Sequence, residues 1–309
     1  MRILDGSWRD WTPSGVPTSL TIGVLDGVHR GHQILLARLR EDMTRTVLTF
    51  DPHPAEVLYP GSHPRLITTV EERIVIFESL GVEQVGILDL REIKELPPEE
   101  FVSQILIDRL DMGHLVVGED FRFGRRRAGD VTRLQKMGPS LGFEVESIGL
   151  VEDGEGKLSS SRVRALIEEG RIEEAAEAMG RRYRLTGTVI EGDHRGRDLG
   201  FPTANLAPPE RKVIPGPGVY AGFAILGGET HGAAINVGTR PTFGEGELIV
   251  EAYLIDFDHN LYGQELTVEF VHYLRPELAF DSIDQLVGTM ETDVEETRRI
   301  LASTRPDVR

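Results

Sequence analysis

The amino-acid sequence changes texture near Gly180, and that change divides the chain into two differently built parts. Ahead of it, Thr21–Leu25, Thr46–Phe50, Gln84–Leu90, His114–Gly118 and Phe143–Leu150 are short apolar runs with β-branched residues, which read as strands. Between them, Val70–Leu80 and Pro98–Leu110 carry apolar residues at helical spacing, the second opening on Pro and Glu residues suited to a helix N-terminus. Strands alternating with helices predict a doubly wound parallel sheet. Ser161–Met179 reads as helix with a break at Gly170 and a stop at Gly180. Beyond it, Tyr183–Ile190, Val219–Leu226, Gly232–Val237, Ile249–Phe257 and Glu265–Leu274 are β-type segments divided by Gly, Pro and Asp clusters. That spacing predicts a small antiparallel β-barrel, closed by an amphipathic helix over Ser282–Leu301. The expected domains are residues 1–182 and 183–309.

A chain of 309 residues supplies two domains that each bury a core. It has no apolar run near the ~20 residues of a membrane span and no signal pattern at Met1-Arg2-Ile3. A cytoplasmic protein is expected. With no cysteine, disulfides, thiolate catalysis and cysteine-ligated iron–sulfur clusters are excluded. A net charge of −17 repels a nucleic-acid backbone, so the expected partners are small anionic molecules met by local clusters of basic residues.

The segment TIGVLDGVHRGHQILL, residues 21–36, places His29 and His32 where an apolar strand gives way to a helix starting near Gly31. The turn between them is bounded by glycines, Gly23 and Gly31, and carries Asp26-Gly27. A helix N-terminus at the carboxyl edge of a parallel sheet is an anion site. Two imidazoles beside those amides suit a phosphate whose charge builds in a transition state. Spacing alone also fits a surface pair or part of a zinc site, although the absence of cysteine and of an HExxH pattern disfavours zinc.

Further segments carry chemistry-bearing residues beside a plain structural alternative. LTFDPHP ends a strand with Asp51 and His53, either as a rigid loop or as a second wall of the same crevice. VVGEDFRFGRRRAGD interleaves Asp120, Phe121 and Phe123 with a basic run from Arg125, either a solvated loop or a flap over a phosphate-bearing ligand. KLSSSRVR puts Ser160 and Ser161 before Arg162 and Arg164, where serine capping and phosphate contact are compatible. In GDHRGRDLGFPTANL, glycines such as Gly192 and Gly200, with Arg197 between them, would let backbone amides approach phosphates. Thr203 and Asn205 are neutral oxygen donors on one face of an extended segment, suited to a hydrated magnesium ion.

These motifs together resemble the bacterial bifunctional riboflavin kinase/FAD synthetase family over nearly the whole chain. GVLDGVHRGHQ is similar to the family's GxFDGVHxGHQ opening, with Leu25 in place of the frequent Phe; GEDFRFGRRRAGD and GRDLGFPTANL follow in family order. SSSRVR resembles the family's ISSTxxR element, with Ser161 for Thr. The resemblance implies ATP-dependent phosphorylation of riboflavin to FMN in the barrel domain and adenylylation of FMN to FAD in the α/β domain. In the latter it implies catalytic His29 and His32, nucleotide contacts from Gly23, Asp26, Gly31, Ser160, Ser161, Arg162 and Arg164, and flavin contacts from His53, Asp120, Phe121, Phe123 and Arg125. In the barrel it implies Glu251 of EAYLIDF as catalytic base, magnesium on Thr203 and Asn205, phosphate contacts from Gly192, Arg197 and Gly200, and flavin contacts from Tyr220 and Arg275. Two rival expectations are a riboflavin kinase with an inactive first domain and a flavin-binding regulator without turnover.

Overall fold

The structure, a computed structural model, describes residues 1–61, 63–149, 151–153, 156–191, 200–239 and 248–307. It divides into two compact units, Met1–Ser160 and a second that begins at Ser161.

The first unit is built on β1 (Arg2–Leu4), β2 (Thr18–Ile22), β3 (Thr44–Phe50), β4 (Gln84–Leu88), β5 (Met112–Gly118) and β8 (Glu144–Ile148). They form one six-stranded sheet in the order β1-β4-β3-β2-β5-β8, with every neighbouring pair parallel. Both faces are apolar because successive residues alternate between two cores. Leu48, Leu115 and Val117 enter one cluster, while Val47 and Val116 enter the other. Helices α1 (Arg30–Ala37), α2 (Pro54–Leu58), α3 (Val70–Ser79), α4 (Leu90–Ile93), α5 (Pro98–Glu100) and α6 (Val131–Leu141) connect the strands. A reciprocal capping box between Thr69 and Glu72 starts α3. Two short antiparallel ribbons, β6 (Arg122–Phe123) with β7 (Gly129–Asp130) and β9 (Glu152–Asp153) with β10 (Gly156–Lys157), follow β5 and β8.

The doubly wound sheet is as the alternation predicts, with local differences. β2 starts three residues before the expected Thr21 and ends at Ile22, because Leu25 turns into the left-handed region at φ 53°. The expected helix over Pro98–Leu110 is one turn of α-helix and then a more widely wound π-helical run, Phe101–Ile107. The sequence reading misses α6, whose interior contains Pro139.

The second unit opens with α7 (Ser160–Glu168) and α8 (Ile172–Met179), parted at Gly170 with φ +76°. The expected boundary at 182/183 assigns these helices to the first domain. By packing, the residues from Ser161 onward lie in the same compact unit as the barrel. Ile167 accepts from Gly216, and Glu173 accepts from the backbone of Tyr273 at 3.1 Å. The barrel is closed in the order β11-β12-β15-β14-β13-β16 by β11 (Arg184–Ile190), β12 (Ala204–Ala207), β13 (Gly218–Leu226), β14 (Glu229–Thr239), β15 (Leu248–Leu254) and β16 (Glu265–Arg275). All its pairings are antiparallel. α9 (Ile283–Leu301), capped by the Ser282 hydroxyl, packs on β13 and β14.

Candidate active sites

In the first unit, residues 23–29 form the turn between β2 and α1. Leu25 and Val28 both hold left-handed backbone, at φ 53° and φ 38°, and Gly27 joins them at φ 76°. For non-glycine residues this conformation costs about 1–3 kcal/mol each and persists only where surrounding contacts enforce it. Asp26 is one source of enforcement. It is 2 % exposed, and its carboxylate accepts from the Ile67 amide at 3.1 Å, the Thr68 amide at 2.9 Å and the Thr68 hydroxyl at 3.1 Å. The expectation that Asp26 contacts a nucleotide is therefore corrected: its carboxylate is a buried bracket between two loops. Leu25 is buried in the core with Val28 and Phe77, so its departure from the family's Phe is a packing change.

The turn delivers His29 as N-cap of α1 and His32 in the first helical turn. Their rings stack with centroids 3.6 Å apart and planes at 22°. A Cβ at Gly31 would lie 3.1 Å from Cε1 and Nδ1 of His29, so the glycine leaves room for that ring; one at Gly23 would crowd Leu25 at 3.0 Å. Because α1 follows a parallel strand, its N-terminus lies at the sheet's carboxyl edge, where open α/β sheets take ligands. Ser160 reaches the same turn, donating to the Asp26 carbonyl at 2.8 Å. His53 sits beyond β3 and caps α2, its Nδ1 accepting from Ala55 at 3.1 Å. In the neutral ring that bond leaves the proton on Nε2.

Asp120 is exposed and paired with Lys157 at 2.9 Å. Phe123 corrects another expectation. It is 6 % exposed and packs on Phe101, with Phe121 stacked over it at 5.6 Å, so Phe123 is core and Phe121 is its half-buried cover. Arg125 opens an exposed turn in which Arg126 and Arg127 are left-handed, at φ 53° and 58°. Ser161, Arg162 and Arg164 lie on α7, with Ser161 exposed and both arginines half-buried.

The second unit contains a cavity of about 690 Å³. Its floor is a single row of the barrel. Asn205 on β12 is in register with Glu251 on β15, Glu251 with Asn236 on β14, Asn236 with Val219 on β13, and Val219 with Arg275 on β16. All five line the cavity together with Thr203. The adjacent row, Leu206, Val250 and Val237, is no more than 4 % exposed and enters the core. Pleating thus turns the polar row to the cavity and the apolar row inward.

Arg275 joins the row through a bulge. Tyr220 pairs with Tyr273 while Val219 pairs with Arg275, leaving Leu274 as the extra residue. Without it the arginine would fall on the opposite face. Its guanidinium is then fixed by Asp293 of α9, with Nε–Oδ1 2.9 Å and Nη2–Oδ2 2.7 Å. Tyr220 is adjacent to Val219 and so has the opposite parity. It is fully buried, its hydroxyl donates to the Gly216 carbonyl, and its ring meets Phe270 and Tyr273 edge-on. Burial pushes its phenol well above the ordinary range. The expected flavin contact from Tyr220 is corrected to a core role.

Asn205 is 8 % exposed, and its Oδ1 has no hydrogen-bond partner among the described residues. A buried amide oxygen in that condition, beside the Thr203 hydroxyl, is a hard donor set that fits magnesium, which takes few protein ligands and keeps several waters. Gly200 is exposed at φ +86° ahead of Phe201, while Gly192 and Arg197 lie outside the described residues. The motifs did not mark Phe201 and Tyr253, whose rings meet at 5.3 Å in the cavity wall, or Asp293. Tyr253 was legible as the second residue after Glu251 on an alternating strand.

A carboxylate beside a hard-cation donor pair, and a histidine pair at a phosphate-type turn, define a nucleotide-dependent transferase in two parts. Residues 13–162 match the family described as FAD synthetase, and residues 179–301 that described as riboflavin kinase. A bifunctional riboflavin kinase/FMN adenylyltransferase of Listeria monocytogenes is 35 % identical over 95 % of each chain. One of Pseudomonas fluorescens is 37 % identical over 91 % of this chain and 92 % of its own. A crystal structure from Streptococcus pneumoniae described as a macrolide-efflux protein superposes with a TM-score of 0.87 at 30 % identity, covering 96 % of this chain and 99 % of that one. Among the described residues, no helix of the present chain is long and apolar enough to cross a membrane. The chain belongs to the bifunctional riboflavin kinase/FMN adenylyltransferase family.

Proposed function

We propose that this chain makes FAD in two ATP-dependent steps, with phosphorylation of riboflavin on the barrel and adenylylation of the resulting FMN on the parallel-sheet unit. The observation that carries the first step is the register row that places Asn205, Glu251 and Arg275 on one cavity floor. Glu251 accepts the proton of the ribityl hydroxyl as that oxygen attacks the γ-phosphorus of ATP and ADP leaves. Thr203 and Asn205 would hold magnesium, which when bound supplies charge neutralisation of the transferring phosphoryl group. The apolar side of the cavity, with Leu278, Leu286, Met290 and Val294, suits the flat flavin ring, and Arg275 its polar edge.

In the second step an FMN phosphate oxygen attacks the α-phosphorus of a second ATP, and pyrophosphate leaves. His29 and His32 donate to the oxygens of the pentacoordinate phosphorus, with the amides of the first turn of α1 beside them. Ser161, Arg162 and Arg164 contact nucleotide phosphates, and His53, Phe121 and Arg125 contact the flavin. Gly200 approaches the kinase nucleotide. The division of labour is residues 1–182 for adenylylation and 183–309 for phosphorylation. A cytoplasmic location agrees with the lack of cysteine and with ATP as co-substrate.

The test is incubation with riboflavin, ATP and magnesium, with flavins separated by chromatography over time and a parallel reaction started from FMN. The expected result is FMN first and FAD after it, and FAD directly in the parallel reaction. FMN accumulating without FAD in either reaction identifies an inactive first unit. Flavin binding without ATP consumption identifies a regulator.

A further inference from the structure

Beneath the histidine turn lies a cation that the chemistry above does not use. Arg73 of α3 is 2 % exposed and is among the largest fully buried side chains. Its Nη1 donates to the Val24 carbonyl and, at 2.9 Å, to the Thr49 hydroxyl; its Nη2 donates to the Phe50 carbonyl at 3.3 Å, and its Nε to the Thr69 carbonyl at 3.4 Å. The Thr49 hydroxyl in turn donates to the Val24 carbonyl at 3.0 Å. Val24 opens the left-handed turn that leads to His29 and His32, and Phe50 is the last residue of β3, directly before Asp51-Pro52-His53. One planar, rigid group therefore ties together the carboxyl ends of two adjacent strands and the loops that leave them.

Packing alone gives no reason for a cation here. Those hydrogen-bond partners are neutral oxygens, and buried ion pairs are often replaced by apolar residues of similar volume without loss of stability. Burial pulls the guanidinium below its ordinary value, and Asp26 and Asp51 push it back up, so the countercharge comes from the same two loops. Asp26 fixes the far side of the turn to Ile67 and Thr68, while Arg73 fixes the near side to β3. The left-handed Leu25 lies between these two anchors, and Val28 follows two residues after the second.

We infer that Arg73 is a positioning residue for adenylyl transfer, holding the DGVH turn and the DPHP loop at the separation that the reacting phosphates require. The inference rests on the reading of the His29–His32 site as the adenylylation centre. A positioning role acts on the geometry of the transition state, so its loss falls on kcat more than on KM.

The test uses Arg73→Met and Arg73→Lys in the full chain. FMN adenylylation (kcat, and KM for ATP and FMN) is measured well below each variant's melting temperature, alongside riboflavin phosphorylation by the same sample. For Arg73→Met the expected result is a kcat of adenylylation lower by about 100-fold, with KM values within about threefold and phosphorylation unchanged. Arg73→Lys, which keeps the charge but not the planar fork, is expected to lie between the two and serves if the Met variant does not fold. Full adenylylation kcat in either folded variant overturns the inference, as does a loss that appears only in KM. A wild-type chain that phosphorylates riboflavin but never adenylylates FMN overturns the site reading, and the inference with it.

Discussion

Asn205 stands directly across from Glu251 on adjacent antiparallel strands, with its buried amide oxygen lacking a hydrogen-bond partner among the described residues. Glu251 is flanked on its other side by Asn236, so neutral amides border the carboxylate on both strands. Replacing Glu251 by Gln keeps the shape and removes the acceptor. FMN formation from riboflavin is expected to fall by about 10²–10⁴-fold. Adenylylation of added FMN by the same sample is expected to stay within about twofold, since independent sites do not couple. Parallel loss of both activities in a folded chain would sink the division of labour.

Arg275 reaches the cavity by a strand bulge and is held there by the two oxygens of Asp293. The pair is mostly buried, with side chains 20 % and 11 % exposed, so removing the carboxylate frees a guanidinium that water solvates only in part. Asp293→Ala is expected to raise KM for riboflavin by about tenfold, equivalent to ~1.4 kcal/mol. Asp293→Asn, which retains one acceptor, should fall between. Steady-state kinetics of the kinase step measure this, and an unchanged KM would mean that Arg275 does not meet the flavin.

Gly31 offers a case where stability and activity should separate. Its φ is ordinary for a helix, and Ala there should stabilise α1 by about 0.5–1 kcal/mol. The added Cβ would meet the His29 ring at 3.1 Å and displace it by a few tenths of an ångström. Gly31→Ala is therefore expected to melt no lower than wild type while losing about tenfold in adenylylation rate. Differential scanning calorimetry and FMN turnover on one sample decide it. Full activity would mean that the ring position is not critical.

The parts of this molecule that follow a simple period were legible in the sequence. The alternation of strands and helices gave the parallel sheet, and the closely spaced β segments gave the barrel. Cavity-facing residues on β15 follow parity from Glu251. What escaped was set by irregularity or by distant partners. Pro139 disguised α6, and the bulge at Leu274 placed Arg275 and Tyr220 on opposite faces although both lie near strand ends. Asp26 reads as a phosphate-site residue because it shares one motif with His29 and His32; only the fold brings Ile67 and Thr68 to its carboxylate. The same holds for α7 and α8, whose apolar stripe records that they are covered but not by which unit.

His114 links the sheet to a pH dependence of stability. The Ser19 hydroxyl accepts from the Arg40 amide at 2.9 Å and shares a hydrogen bond of 2.8 Å with His114 Nδ1. Nε2 of the ring faces Glu146 at 3.8 Å. Burial holds the imidazole below its ordinary value of 6.5, and Arg40 adds to the shift, against Glu146, Glu144 and Asp42. The folded state thus resists a proton that the unfolded chain accepts. Stability from this site is complete above pH ~6.5 and is lost as pH falls below it toward the depressed folded value. Wild-type melting temperature is expected to fall between about pH 7 and 5.5, and His114→Asn, which has no such proton to gain, should flatten that slope. Matched melting curves across the window test this. Equal slopes in the two proteins would assign the acid sensitivity to other groups.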